Sequence, residues 1–214
     1  AGILELTGFS RFHVAGDGAD EWLTTQITGN MPRVGRIGLA YFASPKGKIL
    51  SEMTVTRLAE NDFLLMTGAG AYWHDRDLLI ASLRAGGPVT ITDVTRNLAT
   101  LLVTGPKAPA ILADMTGQSM THDDFAWLSH RKIDLAGCQA NVIRVSFAGE
   151  AGFEIHCRMD VVVAVYDAVM GAGAAHQLRP FGMLALDSMR LEKGYRSWKA
   201  DLTSDYTMLE SGLG

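Results

Sequence analysis

Cysteine is scarce in this 214-residue chain: Cys138 and Cys157 are the only two. That excludes a disulfide framework, and neither stands in a metal-ligand spacing. Both read as small buried hydrophobes of a reducing compartment, the cytoplasm or, in a eukaryote, the mitochondrial matrix. Positive charge is not in excess either. Lys and Arg number 19 against 23 Asp and Glu, a formal net charge of −4, whereas a binder of nucleic acid needs a basic face. Long apolar runs are missing: the best, Val161 through Ala175, is broken by Tyr166, Asp167 and two glycines, too weak to cross a membrane. Ala1 to Thr7 lacks the basic start and apolar block of a secretory signal. The chain also opens without methionine and stops after LESGLG, so it is expected to be a piece of a longer protein.

Familiar catalytic signatures are absent too. TGAGAYW imitates a dinucleotide fingerprint, but Trp73 stands where the third glycine of G-x-G-x-x-G belongs, and indole blocks the close helix–strand approach that glycine permits. PKGK at Pro45–Lys48 leads into a strand pattern, whereas a phosphate loop opens a helix. No HExxH, Ser/His/Asp order or paired-cysteine motif is present.

What remains is an ordinary globular composition, 48% hydrophobic and 20% charged, enough for one or two domains with real cores. Val142–Cys157, VIRVSFAGEAGFEIHC, predicts a strand, a tight turn bearing Gly149 and Gly152, and a second strand. On the second arm Phe153, Ile155 and Cys157 face one way, Glu154 and His156 the other. Glu154 would then be a carboxylate at a fixed place on a sheet face, although a strand glutamate is more often simply solvated.

Periodicity predicts an opening strand over Leu4–Val14, then a helix over Gly18–Gln26 with Asp17 as its cap. Strands follow on both sides of the turn Ser44–Gly47 and at Phe63–Thr67. A helix over Tyr72–Arg84, strands at Pro88–Thr92 and Leu98–Thr104, and a helix over Lys107–Met115 complete a β-β-α-β-β-α middle, read as one sheet with two helices. Further strands are expected at Phe125–Leu128 and Lys132–Leu135, and helices at Val161–Gly171 and Gly182–Gly194. Asp75 falls near the start of its helix, where the dipole favours a carboxylate. An aspartate there is often no more than a dipole partner.

In order, SPKGKILSEMTV, TGAGAYWHD, VTGPKAP, VSFAGEAGFEI, LDSMRLEKGYRSW and LESGLG resemble the folate-binding aminomethyltransferase family. That family includes the T-protein of the glycine cleavage system and the C-terminal part of dimethylglycine and sarcosine dehydrogenases. TGxGxxxHD and LEKGYRSW side with the dehydrogenase branch. The resemblance covers nearly the whole chain. It implies an α+β folate-binding unit of two subdomains, ferredoxin-like β-α sandwiches: a discontinuous first folate-binding subdomain over 1–42 and 122–214, and an inserted α+β subdomain over 43–121. A C-terminal β-barrel would be missing, as would an upstream flavin domain.

By the same resemblance Asp75 matches the acidic residue beside the reacting nitrogen, and Glu154 the glutamate that holds the pterin. A pterin edge presents adjacent N–H donors, and a carboxylate offers two acceptor oxygens. Phe147, Tyr41 and Arg190 are further expected folate contacts. Phe147 replaces a tyrosine of the T-protein branch, so one hydroxyl contact is absent, and Leu186 stands where that branch has an arginine before Asp187, a cationic folate contact of that branch. The implied function is capture of a one-carbon unit, delivered as the iminium of a small N-methyl amine, on tetrahydrofolate to give 5,10-methylenetetrahydrofolate. No metal is implied. A T-protein-type aminomethyltransferase acting on lipoyl-bound methylamine is the nearest alternative. A folate-binding module without catalysis is the alternative of another class; its iron–sulfur-assembly relatives carry a Lys-Gly-Cys motif that neither cysteine here matches.

Overall fold

A computed structural model of the chain describes residues 1–213. In chain order the elements are β1 (Gly2–Glu5), β2 (Ser10–Ala15), α1 (Ala19–Gln26), β3 (Ile37–Ala43), β4 (Ile49–Ala59), β5 (Asp62–Thr67), α2 (Tyr72–Ala81) and β6 (Thr90–Asp93). Next come β7 (Leu98–Thr104), α3 (Ala108–Thr116), β8 (His130–Leu135), β9 (Cys138–Ile143), β10 (Gly152–Arg158), α4 (Val162–Gly173), β11 (Arg179–Pro180) and α5 (Met183–Glu192). The strands form two sheets, and the fold class is α+β, as expected.

One compact unit comprises Ala1–Thr7 and Arg96–Tyr195. Its sheet runs β11-β1-β7-β10-β9-β8, antiparallel except for the β1–β11 pair. Alternation sends Ala99, Leu101 and Val103 of β7 and Phe153, Ile155 and Cys157 of β10 into one core. Two helices close that core. α3 contributes Ala108, Ile111 and Leu112 and α4 contributes Val165 and Val169, spacings of three and four residues that line one helical face.

The other unit comprises Gly8–Thr95 and Arg196–Gly214. Its sheet runs β3-β4-β5-β2-β6, and all its neighbours are antiparallel. Phe12, Val14, Ala40, Phe42, Met53, Val55, Phe63 and Leu65 form its core, packed by Ala19 and Leu23 of α1 and Leu79 of α2.

This division differs from the expected 1–42 and 122–214 around 43–121. β3 is hydrogen-bonded to β4 from Ile37 to Ala43, straight across the expected boundary, and β7 with its helix α3 belongs beside β10. The expected opening strand is two strands in two sheets: β1 pairs with β7, the chain turns at Thr7–Phe9, and β2 pairs with β5. The β-β-α-β-β-α middle is likewise shared between both sheets. Phe125–Leu128 is turn rather than strand, with Phe125 fully buried against Phe153. Gly18, not Asp17, precedes α1, and the first turn instead donates to a distant side chain, the Asp20 N–H to Asn61 Oδ1 at 3.1 Å.

Candidate functional site

The hairpin around Glu154 forms, but its connection is longer than a tight turn. β9 ends at Ile143 and β10 begins at Gly152, leaving 144–151 as a loop. Arg144 folds under that loop. It is buried, its Nη1 donates to the carbonyls of Thr121 (2.7 Å) and Phe125, and its guanidinium lies 5.5 Å from the Phe153 ring centre. Phe147 is half-buried on the same loop. Gly152 is required for the loop to close: a Cβ there would stand 2.5 Å from the Val145 carbonyl oxygen.

Glu154 stands on the sheet face opposite the α3/α4 core. Its cross-strand neighbours are Leu102 and Ile143, and Leu4 lies opposite Leu102, so the carboxylate rises from an apolar, buried patch. The side chain is 12% exposed. Its Oε2 lies 3.2 Å from Nε2 of His156, two residues along the same strand. The His156 side chain is 2% exposed, and its Nδ1 lies 3.0 Å from the hydroxyl of Thr100, its register partner on β7. Neither contact was read from the sequence. Alternation places His156 beside Glu154, but Thr100 enters only through the β7–β10 register.

Asp75 occupies the first turn of α2, as expected, and it is fully buried. It shares the inward stripe of its helix with Leu79, four residues on. Thr67, the last residue of β5, donates its hydroxyl to Oδ2 at 2.6 Å, and Oδ1 lies 2.8 Å from Nδ1 of His74. His74 itself is 47% exposed, so a buried carboxylate is linked through one imidazole to the surface. Trp73 beside it is 70% exposed.

Tyr41 lies on β3 directly opposite Glu52 of β4. Ala40 and Phe42 point into the core, so Tyr41 projects from the opposite face, away from α2, which carries Asp75. Burial raises the Tyr41 phenol pKa, and the Glu52 carboxylate that accepts its hydrogen bond raises it further. Burial also raises the pKa of Glu52, against that hydrogen bond, and Glu52 Oε2 is buried without a partner.

Arg190 is buried on α5 on the stripe it shares with Leu186. Its Nε donates to Asp187 at 2.8 Å and its Nη1 to the Tyr195 carbonyl at 3.1 Å. The expected residues thus divide between the units: Glu154, Phe147 and Arg190 in one, Asp75 and Tyr41 in the other. Among the described residues no group of His, Cys, Asp and Glu is arranged to hold a metal ion, and no helix is long and apolar enough to cross a membrane.

A family model described as the GCVT N-terminal domain matches residues 1–214. Mitochondrial dimethylglycine dehydrogenase of Rattus norvegicus is 32% identical over 213 residues, which cover 99% of this chain and 25% of that protein. Mitochondrial sarcosine dehydrogenase of Homo sapiens is 31% identical over 230 residues, covering 100% of this chain and 25% of that protein. The chain therefore spans about a quarter of the length of these relatives. The crystal structure of glycine cleavage system aminomethyltransferase T from Bartonella henselae superposes with a TM-score of 0.85 at 25% identity, covering 99% of this chain and 56% of that one.

Proposed function

The chain belongs to the GCVT N-terminal domain family, and from that premise we propose that it is the tetrahydrofolate-binding, one-carbon-accepting domain of a flavin-dependent N-methyl-amine dehydrogenase. The flavin domain would lie in another part of the full protein, in keeping with the small share of its dehydrogenase relatives that the chain spans. The amine would be of the dimethylglycine or sarcosine type, and the product 5,10-methylenetetrahydrofolate. Where the source is a eukaryote, the names of these relatives favour the mitochondrial matrix.

Glu154 carries this reading. A carboxylate 12% exposed, rising from Leu4, Leu102 and Ile143 with one oxygen already engaged by His156, suits a flat ring with N–H donors on one edge and apolar faces. Tetrahydrofolate, when bound, supplies the nitrogen that takes up the one-carbon unit. Asp75 supplies fixed negative charge. Thr67 and His74 hold both of its oxygens, so the carboxylate is oriented in advance to favour a cationic one-carbon donor, as electrostatic preorganisation requires. Oδ1 is the atom at which a proton taken by Asp75 has a path outward, through the half-exposed His74. Exclusion of water matters as well, because a free iminium hydrolyses to formaldehyde.

The test is calorimetric titration of tetrahydrofolate into the full protein and its Asp75→Asn and Glu154→Gln variants, together with an assay of methylenetetrahydrofolate against free formaldehyde. Glu154→Gln is expected to weaken binding. Asp75→Asn is expected to leave binding nearly intact while slowing transfer by roughly 10²–10⁴-fold, the range for a positioned acid–base group, so that formaldehyde is released instead. Unchanged affinity in Glu154→Gln would remove the pterin-holding role. Ammonia release that depends on a lipoyl carrier protein would favour the aminomethyltransferase alternative.

A further inference from the structure

We infer that His156 is a positioning residue for the ring-binding carboxylate, and that a Thr100–His156–Glu154 chain orients the acceptor oxygens that the site offers. The inference rests on the proposed role of Glu154 as the residue that takes the pterin N–H edge.

The argument begins with donor and acceptor capacity. An ionised carboxylate only accepts, so the 3.2 Å contact between Glu154 Oε2 and His156 Nε2 needs a hydrogen on Nε2. That holds for neutral and for protonated imidazole. In the neutral ring Nδ1 is then an acceptor, and the Thr100 hydroxyl, 3.0 Å away, is the donor that satisfies it. The acceptor-only carboxylate therefore selects the tautomer with its hydrogen on Nε2, and the Thr100 hydroxyl, free to turn as donor, satisfies the ring nitrogen left as an acceptor.

Geometry makes this arrangement stiff. His156 and Thr100 are paired across β7 and β10, Glu154 is two residues along the same strand, and the imidazole is 2% exposed. With Oε2 held from the protein side, the carboxylate plane is fixed, and Oε1 with the remaining lone pairs is offered to an incoming edge. A ring presenting adjacent N–H donors matches that offer. A ring presenting a carbonyl there would meet acceptor against acceptor, a discrimination made by the carboxylate itself and aimed by the relay.

Calorimetric titration of tetrahydrofolate into the full protein tests this, using Glu154→Gln, His156→Leu, His156→Gln, Thr100→Val and the double variant Glu154→Gln/His156→Leu, with folding checked by thermal transition. His156→Leu should weaken binding roughly tenfold or more, the scale of a hydrogen bond to a charged group. His156→Gln, which keeps an N–H donor near the Nε2 position, should restore most of that loss. Thr100→Val should weaken binding in the same direction. In the Glu154→Gln background His156→Leu should add little, because His156 acts through that carboxylate, whereas a merely structural role would give additive losses. Wild-type affinity in His156→Leu alongside weak binding in Glu154→Gln overturns the inference, as do additive losses. If His156→Leu does not fold, wild-type affinity in Thr100→Val overturns it instead. Unchanged affinity in Glu154→Gln overturns the ring-holding reading itself and this inference with it.

Discussion

Thr67 donates its hydroxyl to Asp75 Oδ2 at 2.6 Å, from the last residue of a central strand to the first turn of the helix that follows it. One contact thereby ties β5 to α2 and orients a fully buried carboxylate. Thr67→Val keeps the shape and removes the donor. It should destabilise the protein by about 1–3 kcal/mol, the cost of leaving a buried polar group short of a partner. Denaturant unfolding measures this, and one-carbon transfer should fall in the same variant while tetrahydrofolate affinity holds.

Glu52 should make the protein less stable as pH rises. Its folded pKa is raised by burial, so between the ordinary carboxylate value and that raised value the native state binds more protons than the unfolded one. Its contribution is fully present below the ordinary value and is lost as pH climbs through the raised one. Glu52→Gln should therefore be more stable than the parent at neutral pH, with the advantage disappearing in acid. Unfolding midpoints across that range decide it, and an advantage independent of pH would refute the linkage. In an alkaline titration the Tyr41 phenol should keep its proton beyond the ordinary phenol range, read as tyrosinate absorbance.

Gly152→Ala should cost about 1–3 kcal/mol, as overpacking does, because the added methyl meets the backbone oxygen of Val145 rather than a movable side chain. The loop 144–151 must shift, and with it Phe147. Tetrahydrofolate affinity is expected to drop together with the unfolding midpoint.

Arg144→Met should prove more damaging than loss of a surface arginine. The guanidinium satisfies carbonyls of the Thr121–Phe125 segment, and methionine fills similar space but donates nothing. The expected loss is about 1–3 kcal/mol in chemical unfolding, and a loss near zero would mean that those carbonyls find other donors.

Much of this was legible in the chain. The alternation of GFEIHC placed Phe153, Ile155 and Cys157 in the core and Glu154 on the opposite face, and the structure has them so. The helix over α2 and the place of Asp75 in its first turn were also readable. The burial of Asp75 was not, because a carboxylate gives no periodic apolar signal even where it sits on the inward stripe with Leu79. The tight turn at Gly149–Gly152 was misjudged for a related reason. Val142–Ser146 alternates like a continuing strand, yet β9 ends at Ile143; Arg144 keeps backbone hydrogen bonds to Leu128 and Ser129 while its side chain meets carbonyls about twenty residues earlier in the chain. The Thr100–His156 contact depends on strand register across 56 residues, which local pattern does not carry. Nor did apolar periodicity show that the strand expected over Leu4–Val14 breaks and supplies two different sheets.

That break has a consequence for how the polypeptide matures on the ribosome. All five strands of the β3-β4-β5-β2-β6 sheet lie between residues 10 and 93, so they have emerged before β1 has met any partner. β1 pairs first with a strand beginning at Leu98 and then with Arg179–Pro180. β1, made before every strand of that sheet, thus completes its own pairing long after them, and its Ile3–Leu4 edge stays unpaired in the meantime, the kind of nascent surface on which chaperones act.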